Sequence, residues 1–223
     1  MANFWTHDPT ASAARFPESL TAFRISYSDL AVIPAVLAPA PPNLVYLRIE
    51  GAEISAIPDE YFQAWASVTA IALNEIKLTE IPLALGANMA QLEWLELRGN
   101  NITTIPPQWL SQQKQLVVVD LSGNGLVDGP WYLANRGVAL ELSSNPITTL
   151  TSSIDPSLLQ KRTIVLDESP FCTANPSSAC QPKCAHMCET KMIGNGKCDW
   201  PCYSPKCQFD GGDCDSFGFD RRN

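Results

Sequence analysis

Residues 92–106 read Leu92-Glu93-Trp94-Leu95-Glu96-Leu97-Arg98-Gly99-Asn100-Asn101-Ile102-Thr103-Thr104-Ile105-Pro106, and the pattern in this stretch recurs along the chain. Counting Leu92 as position one, apolar residues fall at one, four, six, eleven and fourteen, with Asn100 at nine and Pro106 at fifteen. The openings Leu20, Leu44, Val68, Leu92 and Leu116 are 24 residues apart at every step. From Leu20 the later slots hold Phe23, Ile25, Ser28, Leu30, Ile33 and Pro34; from Leu44, Leu47, Ile49, Ala52, Ile54, Ile57 and Pro58. From Val68 they hold Ile71, Leu73, Ile76, Leu78, Ile81 and Pro82; from Leu116, Val119, Leu121, Asn124 and Leu126, with Gly129-Pro130 closing the copy. A shorter sixth copy holds Leu140, Leu142, Asn145, Ile147 and Leu150.

A fixed period of this length signals stacked supersecondary units. Positions four and six alternate with polar neighbours, which makes a short strand with both apolar side chains on its inner face. Positions nine, eleven and fourteen send the chain back into the same core. Proline at fifteen blocks strand continuation and opens the return with a helical first turn or an extended segment. One coil cannot bury its own stripe; stacked coils bury it together and align their strands as one parallel sheet.

This seven-slot pattern resembles the leucine-rich-repeat family over about residues 16–167. The resemblance implies an α/β-type solenoid with a concave parallel sheet and an irregular or 3-10 convex side. It also implies that Asn at position nine bonds the turn backbone inside the core. Asn100, Asn124 and Asn145 fit; Ser28, Ala52 and Ile76 do not, so the early coils must satisfy those backbone groups another way or leave the ladder looser. Six coils then occupy residues 20–150. Residues 1–19 are expected to cap the amino end with Phe4, Trp5 and Phe16, and residues 151–171 the carboxyl end with Leu158, Leu159, Ile164, Val165 and Leu166.

Cysteine is absent from the first 171 residues, and all eight cysteines fall between Cys172 and Cys214. Such a dense cluster with little apolar content reads as a disulfide framework and an oxidising compartment. Residues 184–214 carry few large apolar side chains, so they need staples, each contributing about 2–4 kcal/mol. Asp210 and Asp213 are held close by Gly211-Gly212, and such clustered carboxylates repel unless protonated or sharing a cation. Two other readings stand beside this: the two aspartates only cap turns, or the cysteines hold zinc in a reducing compartment. Zinc would leave Asp210-Gly211-Gly212-Asp213 unexplained.

Six cysteines ending in Asp210-Gly211-Gly212-Asp213-Cys214 are similar to the Notch-type repeat, or LNR module, over residues 184–214. The resemblance implies the pairs Cys184–Cys207, Cys188–Cys202 and Cys198–Cys214. It implies Ca2+ held by the side chains of Asn195, Asp210 and Asp213 with backbone carbonyls near Lys197 and Asp199. Cys172 and Cys180 are left over and most simply pair with each other, stapling a linker over 172–183; residues 215–223 form a tail. Two positions depart from the family: Met192 stands where an acid is often found, and Tyr203 where an asparagine is familiar. Glu189 could substitute. These departures bear on the affinity more than on the metal's identity.

The formal net charge of −8 argues against nucleic acid or an anionic membrane as partner. No nucleophile elbow, phosphate loop or zinc-protease motif occurs, and His7 and His186 lie near no nucleophile, so no enzyme is expected. Neither a basic-apolar export leader nor an apolar span is visible. Together with the cysteines, this suggests a piece of a larger secreted or cell-surface protein. Asn101-Ile102-Thr103 is a glycosylation sequon on the turn after a strand, with Asn101 the acceptor.

The expected function is extracellular recognition of a protein or peptide on the concave sheet, the LNR module being stabilised by calcium. The alternative is a structural or regulatory spacer in which the module shields or clamps a neighbouring domain. A third possibility is an intracellular scaffold with reduced cysteines or zinc. Positions three, five and seven of each strand point outward. They supply the candidate ligand-binding residues Arg24, Tyr46, Arg48, Trp94, Glu96, Arg98 and Asp120, with basic charge at the amino end and acidic charge at the carboxyl end.

Overall fold

A computed structural model describes residues 16–181, 184–185, 188 and 192–215. Phe4, Trp5, His7, His186, Glu189 and the 216–223 part of the tail lie outside the described residues. Seven strands form one parallel sheet in chain order: β1 (Ala22–Ser26), β2 (Tyr46–Glu50), β3 (Ala70–Asn74), β4 (Trp94–Glu96), β5 (Val118–Asp120), β6 (Ala139–Glu141) and β7 (Ile164–Val165). Pairing keeps the repeat phase, with Phe23 opposite Leu47, Leu47 opposite Ile71, Ile71 opposite Leu95 and Leu95 opposite Val119.

The core is the stacked stripe itself. Leu47, Ile49, Ile71, Leu73, Leu95, Leu97, Val119, Leu121 and Leu142 are fully buried. The convex returns begin at the repeat prolines. Pro34 opens a 3-10 turn, and Pro58, Pro82, Pro130 and Pro156 precede the short helices α1 (Asp59–Ala64), α2 (Leu83–Asn88), α3 (Trp131–Ala134) and α4 (Ser157–Gln160). The convex returns thus mix a 3-10 turn, short helices and, between β4 and β5, irregular turns. Proline fixes φ and needs no partner for the N–H it lacks, which suits a helix start. Trp65, fully buried behind α1, donates its Nε1–H to the Leu37 carbonyl at 2.9 Å and packs edge-on against Phe62.

Each coil turns at position eight through the left-handed region. Gly51, Gly99 and Gly123 occupy it in three coils, but Tyr27, Glu75 and Ser144 occupy it in others. After that turn the coils differ. Asn100 Oδ1 accepts the N–H groups of Ile76 and Leu78 at 3.2 and 3.0 Å, while its Nδ2 donates to the Leu73 and Leu97 carbonyls at 2.8 and 2.9 Å. Asn124 serves Ile102 and Asn145 serves Leu126 in the same way, so each asparagine closes the coil before its own. Coils one and two lack this clasp. Direct peptide contacts stand in, Ser28 N–H to Gly51 O at 2.9 Å and Ala52 N–H to Glu75 O at 3.3 Å, and the buried Ser28 Oγ finds no partner.

The carboxyl cap contributes β7, and its turn copies a coil: Glu168 takes the left-handed position, and Ser169 Oγ donates to the Leu166 carbonyl at 2.6 Å. Ser169 Oγ also caps α5 (Pro170–Ala174) by accepting the Cys172 N–H. The buried Asp167 binds Arg162 at 2.6 Å and accepts the Gln181 N–H at 2.8 Å. This ties the segment closed by the Cys172–Cys180 disulfide to the end of the sheet.

Candidate functional site

The open face of the sheet is zoned by the repeat phase. One register row runs Ala22, Tyr46, Ala70, Trp94, Val118 and Ala139, with no charge in it. The next runs Arg24, Arg48, Ala72, Glu96, Asp120 and Glu141. Tyr46 and Trp94 thus stand two strands apart over the small Ala70, and with Glu93, Glu96 and Val117 they line an open dip of about 400 Å³. Trp94 is 45% exposed although its Nε1–H is held by Glu96 Oε1 at 3.0 Å.

Beside the dip lies a charge network centred on Glu50, which is only 2% exposed. Glu50 accepts from Arg48 Nη2 at 2.7 Å, from Arg98 at 2.9 Å and from Arg24 at 3.2 Å. Arg48 Nη1 also reaches Glu96 at 3.4 Å, and Asn74 Nδ2 donates to Glu96 at 2.7 Å. Burial pushes the Glu50 carboxyl up, but the hydrogen bond from Arg48 and the charges of Arg48, Arg98 and Arg24 outweigh it, and the group sits below the usual range. Burial raises Asp120 above that range, against the hydrogen bonds from Ser122 and the charge of Arg98. Arg48 and Arg98 are therefore bound within the face, and Arg24 is the most exposed of the three arginines. Sequence reasoning placed Glu50, at position seven, among the outward residues and missed it as the buried hub; it missed Glu93 and Val117 in the dip because it considered only positions three, five and seven. Position two is in fact exposed at Val45 and Val117, a sign that the strand ends open outward. Asn101 is exposed as well.

In the cysteine-rich region the pairs are Cys184–Cys207, Cys188–Cys202 and Cys198–Cys214, and no described cysteine is free. Two groupings of potential metal donors occur here, Cys184/Cys188/Cys207 and Cys198/Asp210/Cys214. Their sulfurs are all in disulfides and offer no thiolate, which leaves the Asp210 carboxylate as the one donor of these two groupings. Asp210 is fully buried. Its Oδ2 accepts the Asp199 N–H at 2.6 Å, while its Oδ1 has no hydrogen-bond partner. Asp213 Oδ2 accepts the Gly196 N–H at 2.8 Å, and Asn195 bridges Lys197 N–H and Asp199 Oδ2, both at 2.8 Å. The loop 194–199 and the turn 210–213 therefore face one another. Gly211 makes this approach possible: a Cβ there would meet Gly194 N at 2.9 Å. A buried carboxylate with an unmatched oxygen, beside an aspartate and an asparagine, is an all-oxygen donor set that fits a hard cation such as calcium. The Asp199 carbonyl also accepts the Cys202 N–H at 2.8 Å. No helix among the described residues is long and apolar enough to cross a membrane.

Residues 42–102 and 68–126 match the leucine rich repeat family, and residues 178–215 match the Notch LNR domain family. No curated protein matches the chain. Among solved structures, a leucine-rich-repeat protein of Leptospira interrogans superposes with TM-score 0.56 at 22% identity, covering 70% of this chain and 40% of its own. An internalin C2 of Listeria monocytogenes gives 0.52 at 18% identity, covering 69% and 64%, and TLR13 in its complex with ssRNA13 gives 0.56 at 21%, covering 68% and 22%. The chain thus spans less than two thirds of each of these neighbours, and at such identities they share its fold. The chain joins a leucine-rich-repeat solenoid to a Notch-type LNR module.

Proposed function

We propose that the chain is an extracellular recognition unit that binds a protein or peptide on the open, concave face of its sheet, with the LNR module stabilised by calcium. The observation that carries this reading is the dip between Tyr46 and Trp94, two aromatics held in register on an otherwise small-residue row. Aromatic residues and arginine at the centre of a face are the residue types that dominate binding energy. Glu96 lines the dip, Arg24, Arg48 and Asp120 share its register row, and the buried Arg98 is tied to Glu50. Four disulfides support an oxidising compartment, and an exposed Asn101 is open to glycosylation there. The nucleic acid named for TLR13 suits this face poorly, since Glu96, Asp120 and Glu141 share one row.

Asn195, Asp210 and Asp213 would hold calcium, with carbonyls at Lys197 and Asp199 available from the facing loop. The cation would supply the counter-charge that Asp210 lacks. A second reading, in which the module docks against a neighbouring domain, draws on Trp200, an aromatic 57% exposed on the module. Binding of the same partner by Trp94→Ala and Trp200→Ala chains separates the two. Loss at Trp94 with retention at Trp200 supports the sheet face, and the opposite result supports the spacer.

A further inference from the structure

The dip between Tyr46 and Trp94 has a sign. Its lining holds two carboxylates, Glu93 and Glu96, and no lysine or arginine. Adjacent strands lie about 4.8 Å apart, so rings two strands apart rise from backbones roughly 10 Å apart, leaving room for one side chain between them. Glu93 is exposed, and the ion pairs of this face pass it by. Glu96 holds the indole edge of Trp94 through Nε1, and the residue is 45% exposed. Beyond Glu96 the same row continues with Asp120 and Glu141 on the next two strands. The nearest basic groups are committed within the face, Arg98 to Glu50 and Arg48 to both Glu50 and, at 3.4 Å, Glu96, and these pairs leave Glu93 out. Burial raises the Asp120 carboxyl above its usual range, and the charge of Glu96 adds to that rise, against Ser122 and Arg98. A positive charge arriving on this row would relieve both.

We propose that the dip seats a cationic side chain, arginine foremost, presented by an extended basic segment of a protein partner. A guanidinium stacks on aromatic faces and directs a fork of N–H donors at carboxylates, and here rings and carboxylates line one cavity. An acidic segment would bring like charges together, and a neutral one would desolvate Glu93 without compensation. The chain's charge of −8 steers a basic partner in the same sense. This inference rests on the recognition role proposed for the sheet face.

The test is selection of binders from a random decapeptide display library on the full calcium-loaded chain. Selected peptides are then titrated against Trp94→Phe, Trp94→Ala, Glu93→Lys and Gln63→Ala, with each variant's thermal transition recorded. The expected peptides are enriched in arginine and lysine and lose about ten-fold in affinity or more against Trp94→Ala and Glu93→Lys. They bind Trp94→Phe within about three-fold and Gln63→Ala unchanged, and citrulline in place of the enriched arginine, which keeps shape and removes charge, costs about ten-fold. Peptides that need the ring at Trp94 but carry no enriched cation would overturn this inference and leave the sheet face as the binding surface. Peptides indifferent to Trp94→Ala, or no binders at all, would overturn both. Trp94→Phe guards against unfolding: a folded Phe variant that binds no basic peptide would also overturn the inference.

Discussion

Arg98 and Glu50, 48 residues apart in sequence, meet at 2.9 Å across two coils with 5% and 2% of their surface exposed. Neither can lose the other cheaply. Glu50→Ala leaves Arg98 and Arg48 without their main counter-charge, and removing one member of a buried pair costs about 3–5 kcal/mol. Arg24 binds the same carboxylate from an exposed position, so Arg24→Ala should cost less than about 1 kcal/mol. Urea unfolding midpoints check the ranking, and equal losses at the two sites would refute the hub.

Asp120 and Glu50 should pull stability in opposite directions with pH. Glu50 has a lowered folded-state pKa, so its contribution is present above the ordinary carboxylate range and is lost as pH falls through the folded value. Asp120 has a raised one, so its charged form opposes folding at neutral pH, and the opposition vanishes in acid once it is protonated. Asp120→Asn keeps an oxygen for the Ser122 N–H. It should raise the thermal midpoint at pH 7 and give no gain below about pH 4. A variant equally stabilised at both pH values would show that charge is not the cause.

The proposed calcium site makes a paired claim. Calcium should raise the melting of the LNR module with an affinity of about 10⁻⁴–10⁻³ M, the range of extracellular modules, and leave the solenoid transition in place. Asp213→Ala should abolish that response. Asp210→Asn should abolish it too, yet raise the stability of the metal-free module, because it removes a buried charge whose Oδ1 has no partner. Calorimetry on the metal-free and loaded chains reads both effects. A metal-free Asp210→Asn chain less stable than the parent would contradict the buried-charge account.

Asn100 should be costly to lose. Alanine there leaves the N–H groups of Ile76 and Leu78 and the carbonyls of Leu73 and Leu97 without the amide they share, at about 3 kcal/mol or more. Hydrogen exchange should speed up selectively at Ile76 and Leu78. If exchange changed only beyond Asn100, the backward direction of the clasp would be wrong.

Much of the fold was legible because a 24-residue phase names strand, turn and return at once, and β1 to β5 keep that phase, with β6 arriving one short copy later. The last coil was harder to see. Ile164 follows Leu140 by the same 24 residues, but Lys161 opens the coil and Ser169 replaces its asparagine, so it read only as a cap. The half-turn asparagines were legible by type, whereas the peptide contacts that replace them at Ser28 and Ala52 carry no side-chain signature. Glu50 occupies an outward slot and is nevertheless buried, because three long arginine side chains close over it. Periodicity predicts where a Cβ points; it does not predict where a guanidinium ends.

The asparagine clasps run one way, each holding the coil before it, and they stop at the third coil. A one-dimensional stack with a graded series of latches has a weak end and a strong end. Tension or heat applied to this chain should peel coil one first, then coil two once its Glu50–Arg98 and Arg48–Glu96 pairs to the fourth coil yield, and halt at the latch set by Asn100. The apolar row would be cut between Tyr46, on the peeled side, and Trp94, on the retained side. The two walls of the dip would then open as different cooperative units, and pulling on the amino terminus would release whatever lies between them before the rest of the solenoid gives way.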